Sequence, residues 1–300
     1  MKVPQSSFRP FKESVRVNAT SAVGWVQLCF TGARVASRRN GMNRVIPNLI
    51  LTLLLLPACN RIPDPASDKE TLDTLQHETK PQRTAAANEF VEDRKKMVAA
   101  DLIKRDINNQ RVLEVMQRVP RHRFVPPDLR NRAYDDRALP IGEGQTISQP
   151  YIVALMTQLV DPQPDDKALD IGTGSGYQAA VLAELVKDVV SIEIVESLAT
   201  KARAKLKALQ YDNVRVHRGD GYEGWESESP FDVIIVAAAP DHIPQALIDQ
   251  LAPGGKLVIP VGEYYQSLKV IEKKLDGTVT KRDVIPVMFV PMTGKAEKRD

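Results

Sequence analysis

Apolar residues change their spacing along the chain, and the change predicts helices first and alternating strands and helices afterwards. Between residues 90 and 119 they recur every three or four positions, as on one face of an amphipathic helix. Beyond residue 167, short apolar runs such as Phe231–Ala238 alternate with helical segments, which is typical of buried parallel strands. Leu268–Lys274 and Val279–Val290 predict an antiparallel pair. We therefore expect an α/β fold with a doubly wound, mostly parallel sheet, an antiparallel edge and N-terminal helices.

The first 89 residues lack this pattern. Residues 1–41 are basic, and we interpret them as disordered or as upstream sequence that is not translated. Residues 42–59 have a charged start, an apolar stretch of 14 residues and a lipobox-like end, Leu56-Pro57-Ala58-Cys59, as a secretory signal of a lipoprotein would. A hydrophobic tail without a targeting role is equally compatible, and the stretch is shorter than the roughly 20 residues of a membrane span. Residues 60–89 are polar and contain several prolines, so they predict a linker before a folded domain at 90–300.

Composition and charge indicate an ordinary globular protein, with 43% hydrophobic and 26% charged residues. The net charge is +3, but residues 1–41 contain seven basic side chains and one acidic side chain, so the remainder is slightly acidic. This balance does not favour nucleic acid as a partner. The two cysteines and four histidines have no zinc-site spacing, so no metal is expected.

A glycine-rich turn follows the strand-like run at residues 168–171 and precedes a helical segment, where α/β folds bind nucleotides. A dinucleotide fingerprint would place its third glycine at Tyr177, whereas here it comes one residue earlier. The early glycine is closer to the pattern of S-adenosyl-L-methionine-dependent methyltransferases, whose cationic ligand would suit an acid at the strand end. A turn needed only for chain reversal remains the alternative. The candidate cofactor-binding residues here are Asp170, Gly172, Thr173, Gly174, Ser175 and Gly176.

Two further acids stand at the ends of predicted strands. Glu193 lies 17 to 21 residues beyond the three glycines, where an acid accepts hydrogen bonds from ribose hydroxyls. Its alternative is a solvated charge, which the apolar flanking residues make less favourable. Asp220 and Gly221 follow the next strand, where a carboxylate is placed to accept a hydrogen bond from the adenine amino group.

Residues 134–150 contain two glycines and two prolines, and we expect a segment too irregular for a strand or helix. A helix is predicted from Tyr151 to Val160. The hydroxyls of Thr146 and Ser148 just before it are suited to hold an anion, but equally to cap the helix.

Blocks spread from about Arg94 to Met292 resemble the protein-L-isoaspartate O-methyltransferases. The most discriminating block is Thr146-Ile147-Ser148-Gln149-Pro150, because most other methyltransferases of this kind share only the glycine turn. The other blocks are Arg118–Arg121, Phe124–Pro126, Leu139–Gly142, Leu169–Tyr177, Gly219–Gly221, Phe231–Asp232, Ala237–Pro240, Pro253–Gly255 and Pro260–Gly262.

The resemblance implies a seven-stranded, Rossmann-like class I methyltransferase fold. It also implies methyl transfer from S-adenosyl-L-methionine to the carboxylate of L-isoaspartyl residues in damaged proteins and peptides, with Ser148, beside Thr146, as the active-site serine. A methyltransferase of another acceptor, such as RNA or a small molecule, and a non-catalytic lipid-anchored binding protein are the alternatives.

Localisation and assembly depend on the first 89 residues and on the cofactor. Because S-adenosyl-L-methionine is made in the cytosol, and because the family that the chain resembles is cytosolic, we expect a cytoplasmic protein without a membrane partner. We separately expect a monomer. A functional signal at residues 42–59 would instead give an exported or membrane-anchored lipoprotein, attached through Cys59.

Overall fold

The computed structural model describes residues 90–297. The predictions for residues 1–41, 42–59 and 60–89 lie outside the described residues. Among the described helices, none is long and apolar enough to cross a membrane.

The predicted N-terminal helices are present. Helix α1 (Val91–Met97) continues into a π-helical turn (Val98–Leu102), and α2 spans Gln110–Arg118. Asn109 caps α2, because its side chain accepts a hydrogen bond from Val112 N at 3.3 Å. The apolar face of α2 is buried, and Pro120 follows directly after its end. Two short 3₁₀ turns, Arg121–Arg123 and Pro127–Arg132, come next.

The prediction that residues 134–150 hold no regular strand was wrong. Strands β1 (Leu139–Gly142) and β2 (Gln145–Ile147) form a small antiparallel hairpin in which Leu139 pairs with Ile147. The intervening turn keeps Gly142, Glu143 and Gly144 at positive φ, which the two glycines adopt without strain. Helix α3 (Pro150–Val160) follows as predicted.

The predicted seven-stranded sheet is confirmed, in the order β5-β4-β3-β6-β7-β8-β9. Strands β3 to β7 run parallel, and β8 and β9 form the antiparallel edge. The strands are β3 (Lys167–Ile171), β4 (Asp188–Glu193), β5 (Val214–Arg218), β6 (Phe231–Val236), β7 (Leu251–Val261), β8 (Gln266–Lys273) and β9 (Val279–Val287). The remaining helices are α4 (Tyr177–Ala183), α5 (Glu196–Ala208) and α6 (Gln245–Asp249).

The sequence predicts a helix from Pro244 to Leu251, a break at Pro253-Gly254-Gly255 and a strand from Lys256 to Val261, but strand β7 begins earlier, at Leu251. Pro253-Gly254-Gly255 belongs to it instead of separating it from the preceding helix. The pairing with β6 shifts between Phe231 and Val233, which accommodates extra residues as a bulge.

Both faces of the sheet are apolar and covered. Ala168, Val189 and Val233 pack on one face with the N-terminal helices, α3 and α4, whereas Leu169 and Ile234 pack on the other with α6. The chain runs outward from β3 through β4 to β5 and then crosses to β6, on the opposite side of β3. The carboxyl ends of β3 and β6 therefore flank the switch point at which α/β sheets bind ligands.

Candidate active site

A cavity of about 550 Å³ lies at the carboxyl ends of β3, β4 and β6. Its walls combine the segment at residues 145–149, the glycine turn, the ends of β4 and β6 and the segment that follows β9. Eight of the sequence-predicted residues line it: Thr146, Ser148, Gly172, Thr173, Gly174, Ser175, Glu193 and Gly221. The structure thus brings the glycine turn and the hydroxyl-bearing loop, separated by more than 20 residues, into one site.

The glycine turn exposes backbone instead of side chains. Gly172 has a φ of 87°, and a Cβ atom there would lie 3.6 Å from Cβ of Ala237 on β6's end. Gly176, with a φ of 89°, begins α4, and a Cβ there would lie 3.3 Å from the Leu206 side chain of α5. Gly176 does not line the cavity, so its role is close helix packing and not contact with a ligand.

Glu193 joins the turn to the end of β4. Its Oε2 accepts a hydrogen bond from Gly174 N at 2.7 Å, and its Oε1 accepts one from Val195 N at 2.9 Å. Although the residue is only 5% exposed, it lines the cavity. A nearly buried carboxylate held in one orientation is therefore available to hydroxyl donors of a ligand.

Asp170 does not lie where the sequence suggested. It is fully buried beneath the turn and does not line the cavity. Asp170 is paired with Ser191 across the β3–β4 ladder, and its Oδ2 accepts a hydrogen bond from Ser191 Oγ at 2.7 Å. That hydroxyl is 2.5 Å from Oγ1 of Thr173, a residue that lines the cavity. Asp170 is therefore linked to the cavity wall through these two hydroxyls, while its Oδ1 has no hydrogen-bond partner among the described residues.

Burial raises the pKa of Asp170 to about 7; the Ser191 hydrogen bond opposes the shift, and the nearby Glu193 carboxylate adds to it. In the unfolded chain the pKa is about 3.9. Asp170 therefore stays protonated to a higher pH in the folded protein than in the unfolded chain. Its contribution to stability is fully present below about pH 4 and is lost as the pH rises through about 7.

We expect Asp170→Asn to remove this dependence. The quantity to follow is the difference in the free energy of unfolding between the unsubstituted protein and the variant. This difference should fall by at most a few kcal/mol between about pH 4 and 7 and should then level off. Denaturant titrations of both proteins across this range measure the difference. Parallel stability curves would contradict the prediction.

Asp220 also faces away from the cavity, although Gly221 lines it. Asp220 caps a 3₁₀ turn, since its Oδ1 accepts a hydrogen bond from Tyr222 N at 3.0 Å. Its Oδ2 accepts one from Lys295 N at 2.7 Å, in the C-terminal segment. The carboxylate predicted to bind adenine therefore holds two backbone segments in this structure.

The capping alternative for the hydroxyl-bearing loop was wrong. The N-cap of α3 is Gln149, and neither Thr146 nor Ser148 makes a capping hydrogen bond. Asp136 takes that role, because its Oδ1 accepts a hydrogen bond from Tyr151 N at 3.0 Å and its Oδ2 accepts one from Gln149 Nε2 at 2.7 Å. Ser148 is half-buried and lines the cavity, so its hydroxyl is free to meet a ligand.

Sequence reasoning also missed two parts of the wall. Arg105 is the one cationic side chain among the described residues that line the cavity. Its guanidinium lies 3.3 Å from the centroid of the Tyr151 ring and donates to Asp136 at 3.0 Å. The second part is residues 285–293. The acids Asp135 and Asp136 before the hairpin were a weak signal for a cap, but nothing local marks Arg105.

No cluster of three metal-ligating side chains occurs among residues 90–297. The polar side chains that line the cavity carry hydroxyls, the carboxamides of Gln145, Gln149 and Gln178, one carboxylate and one guanidinium. Such a set suits a polar organic ligand on one side and an anion on the other.

Comparison with known proteins identifies the family. The family model for protein-L-isoaspartate(D-aspartate) O-methyltransferase matches residues 92–297. Protein-L-isoaspartate O-methyltransferase 2 of Polaromonas sp. strain JS666 is 57% identical over 189 residues, which are 62% of this chain and 90% of that protein. The Protein-L-isoaspartate O-methyltransferase of Synechococcus sp. strain JA-2-3B'a(2-13) is 53% identical over 223 residues, 72% of this chain and 91% of its own.

A solved structure agrees with these relatives. A Plasmodium falciparum protein assigned as a protein-L-isoaspartate O-methyltransferase, in complex with S-adenosyl-L-homocysteine, superposes with a TM-score of 0.59 at 28% identity. The match covers 67% of this chain and 98% of that one. With its seven-stranded sheet, its glycine turn and a family model matched along nearly the whole described domain, this chain belongs to the protein-L-isoaspartate(D-aspartate) O-methyltransferase family.

Proposed function

We propose that this enzyme transfers the methyl group of S-adenosyl-L-methionine to the carboxylate of L-isoaspartyl residues in damaged proteins and peptides. The observation that carries the proposal is the shared cavity, which Ser148 and Thr146 line together with the glycine turn and Glu193. A donor held by the turn and an acceptor held by the hydroxyls would then lie within one enclosed space.

The residues present fit the methyl donor. Gly172 and Gly174 carry no side chain that would keep a ligand away from the turn, and hydrogen bonds from Gly172 N to Ile192 O and from Gly174 N to Glu193 Oε2 fix its conformation. Glu193 presents a fixed carboxylate suited to the two ribose hydroxyls. Asp170 lies beneath the turn, where its hydrogen bond with Ser191 links it to Thr173 in the cavity wall. Gly221, rather than the Asp220 side chain, offers backbone for the adenine end.

The acceptor side is complementary to a carboxylate. Ser148 and Thr146 supply hydroxyl donors, and Arg105, whose guanidinium also donates to Asp136, lines the same cavity. Glu193 and Arg105 thus give the cavity one anionic and one cationic wall residue, which suits a cationic donor and an anionic acceptor.

The methyl transfer requires no general base to remove a proton from the acceptor. Bound S-adenosyl-L-methionine supplies an electrophilic methyl group, and a carboxylate with a pKa near 4 is already ionised at neutral pH. The protein's contribution is to position the carboxylate oxygen in line with the methyl carbon and to exclude water. The backbone nitrogen of the following residue would then attack the methyl ester and expel methanol to form a succinimide, and hydrolysis of that ring would return some normal aspartate.

The alternative acceptors are distinguished by the chemistry of the product. The purified chain should be incubated with methyl-labelled S-adenosyl-L-methionine and either an isoaspartyl peptide or total RNA. We expect label in the peptide alone, released as methanol at mildly alkaline pH because the product is an ester. Alkali-stable label, or label in RNA, would support a methyltransferase of another acceptor. No transfer to either would favour a non-catalytic binding protein.

Asp136 offers a test of how the acceptor loop is held. Asp136→Ala removes the acceptors for Tyr151 N and Gln149 Nε2 and releases Arg105. Loss of a helix cap costs about 1 kcal/mol, and the displaced loop should lower kcat/KM for an isoaspartyl peptide about tenfold. Calorimetry should find the Kd for S-adenosyl-L-methionine unchanged within about twofold, since the turn is untouched. A weakened Kd with normal peptide kinetics would contradict this role.

We also propose that the enzyme acts in the cytoplasm as a monomer. The proposal for the compartment rests on the methyl donor, which is a cytosolic metabolite. Cell fractionation with mass spectrometry of Cys59 tests the compartment, and light scattering tests the assembly. Acylated, membrane-bound protein would overturn the first proposal, and a stable dimer the second.

A further inference from the structure

Three large apolar side chains are left in solvent at one place on the sheet. Tyr264 is 86% exposed, Tyr265 97% and Met288 94%. These residues are here termed the apolar rim. Leu275, which is 84% exposed, lies in the turn between β8 and β9.

Strand pairing brings the apolar rim together. Gln266 pairs with Val287 and Ser267 with Pro286, so the same register places Tyr265 opposite Met288 at the end of the β8–β9 ladder. Beyond the ladder, the Gln266 side chain holds the segment that follows β9 next to the start of β8. Its Nε2 donates a hydrogen bond to Phe289 O at 3.0 Å, and its Oε1 accepts one from Phe289 N at 2.6 Å.

The apolar rim is continuous with the cavity. Tyr264 and Tyr265 follow the carboxyl end of β7, which runs parallel to β6, so they lie at the same edge of the sheet as the cavity mouth. Met288 belongs both to the rim and to the cavity wall. An acceptor side chain that enters the cavity from this edge must carry its neighbouring residues across these side chains.

We propose that Tyr264, Tyr265 and Met288 bind an apolar side chain that flanks the isoaspartyl residue of the substrate. The enzyme then favours isoaspartyl sites beside apolar residues, which are accessible in unfolded rather than native proteins. This inference rests on the proposed function and concerns the substrate class of the same site. Aromatic and thioether side chains are suited to such contacts, because they accommodate differently shaped apolar partners.

The test uses pairs of short isoaspartyl peptides that have the same sequence except at one position, which is Leu in one peptide and Ser in the other. The varied position lies one or two residues before or after the isoaspartyl residue, and each of these four positions is tested separately. For at least one position the unsubstituted enzyme should prefer Leu by about fivefold in kcat/KM, mainly through KM. The double variant Tyr264→Ser, Tyr265→Ser should reduce this preference to within about twofold and leave the kinetics of the Ser peptide unchanged. Leu275→Ser removes an equally exposed side chain from the opposite end of β8 and should retain the full preference.

The outcomes separate this inference from the proposed function. If the unsubstituted enzyme methylates Leu and Ser peptides equally, or if the double variant keeps the preference, the rim does not bind substrate. If the rim instead joins two copies of the chain, the double variant should keep the preference for Leu and should have a lower mass by light scattering than the unsubstituted enzyme. This outcome also overturns the inference. If no peptide is methylated, it is the proposed function that fails.

Discussion

Glu193→Ala should weaken the binding of S-adenosyl-L-methionine by about 100-fold, because hydrogen bonds to a charged group contribute about 1.5–3 kcal/mol each. The substitution has two consequences. The cavity wall loses the carboxylate that would accept hydrogen bonds from the hydroxyls of the ligand. Gly174 N and Val195 N also lose their hydrogen bonds to this carboxylate. Calorimetric titration with S-adenosyl-L-methionine measures the change in Kd directly.

Two controls separate these consequences. Glu193→Gln keeps an acceptor for one backbone amide but removes the charge, so its Kd should lie between those of the unsubstituted protein and the alanine variant. Glu114→Ala removes an exposed carboxylate from α2, and its Kd should be unchanged. An unaltered Kd for Glu193→Ala would remove this residue from the donor site.

Ser148→Ala should lower kcat/KM for an isoaspartyl peptide by about 10- to 100-fold, the loss expected for one hydrogen bond to a carboxylate. The hydroxyl lines the cavity and does not cap α3, so its removal should leave the helix intact. The Kd for S-adenosyl-L-methionine should stay within about twofold of that of the unsubstituted enzyme. Steady-state kinetics and calorimetry on the same preparation make the comparison.

Ser227→Ala is the matched control, because Ser227 is exposed and does not line the cavity. Its kinetics should equal those of the unsubstituted enzyme. If Ser148→Ala is equally active, the serine does not bind the acceptor. If it loses affinity for the donor instead, the assignment of the two sides of the cavity is wrong.

The parts of the fold that sequence predicted best depend on local spacing. Around Gly172–Gly176 a short, continuously buried strand and a helical segment are separated by glycines at positions that need positive φ. The hairpin of β1 and β2 was missed because its strands contain only four and three residues, too few for alternation to stand out.

Side-chain direction was harder to predict than position along the chain. Asp170 and Asp220 both stand at strand ends, yet one is buried against Ser191 and the other holds the C-terminal segment. Alternation in a strand determines which face a residue occupies, but the turn that follows determines whether its side chain reaches the cavity.

Contacts between distant segments left no readable signal. Arg105 and Asp136 are 31 residues apart and meet beside α3. The segment at residues 285–293 joins the cavity only because β9 returns along the edge of the sheet. Local periodicity carries no information on such pairings, which depend on the whole topology.

The most direct test of the central claim is the initial rate of methyl transfer to an isoaspartyl peptide and to its aspartyl twin of the same sequence. Both peptides carry the same charge and composition and differ in whether the main chain continues through the β- or the α-carboxyl group, which changes where the free carboxylate lies relative to Thr146, Ser148 and Arg105. We predict rapid esterification of the isoaspartyl peptide and a rate at least about 100-fold lower for its twin. Equal rates for the two peptides, or transfer to neither, would contradict the account.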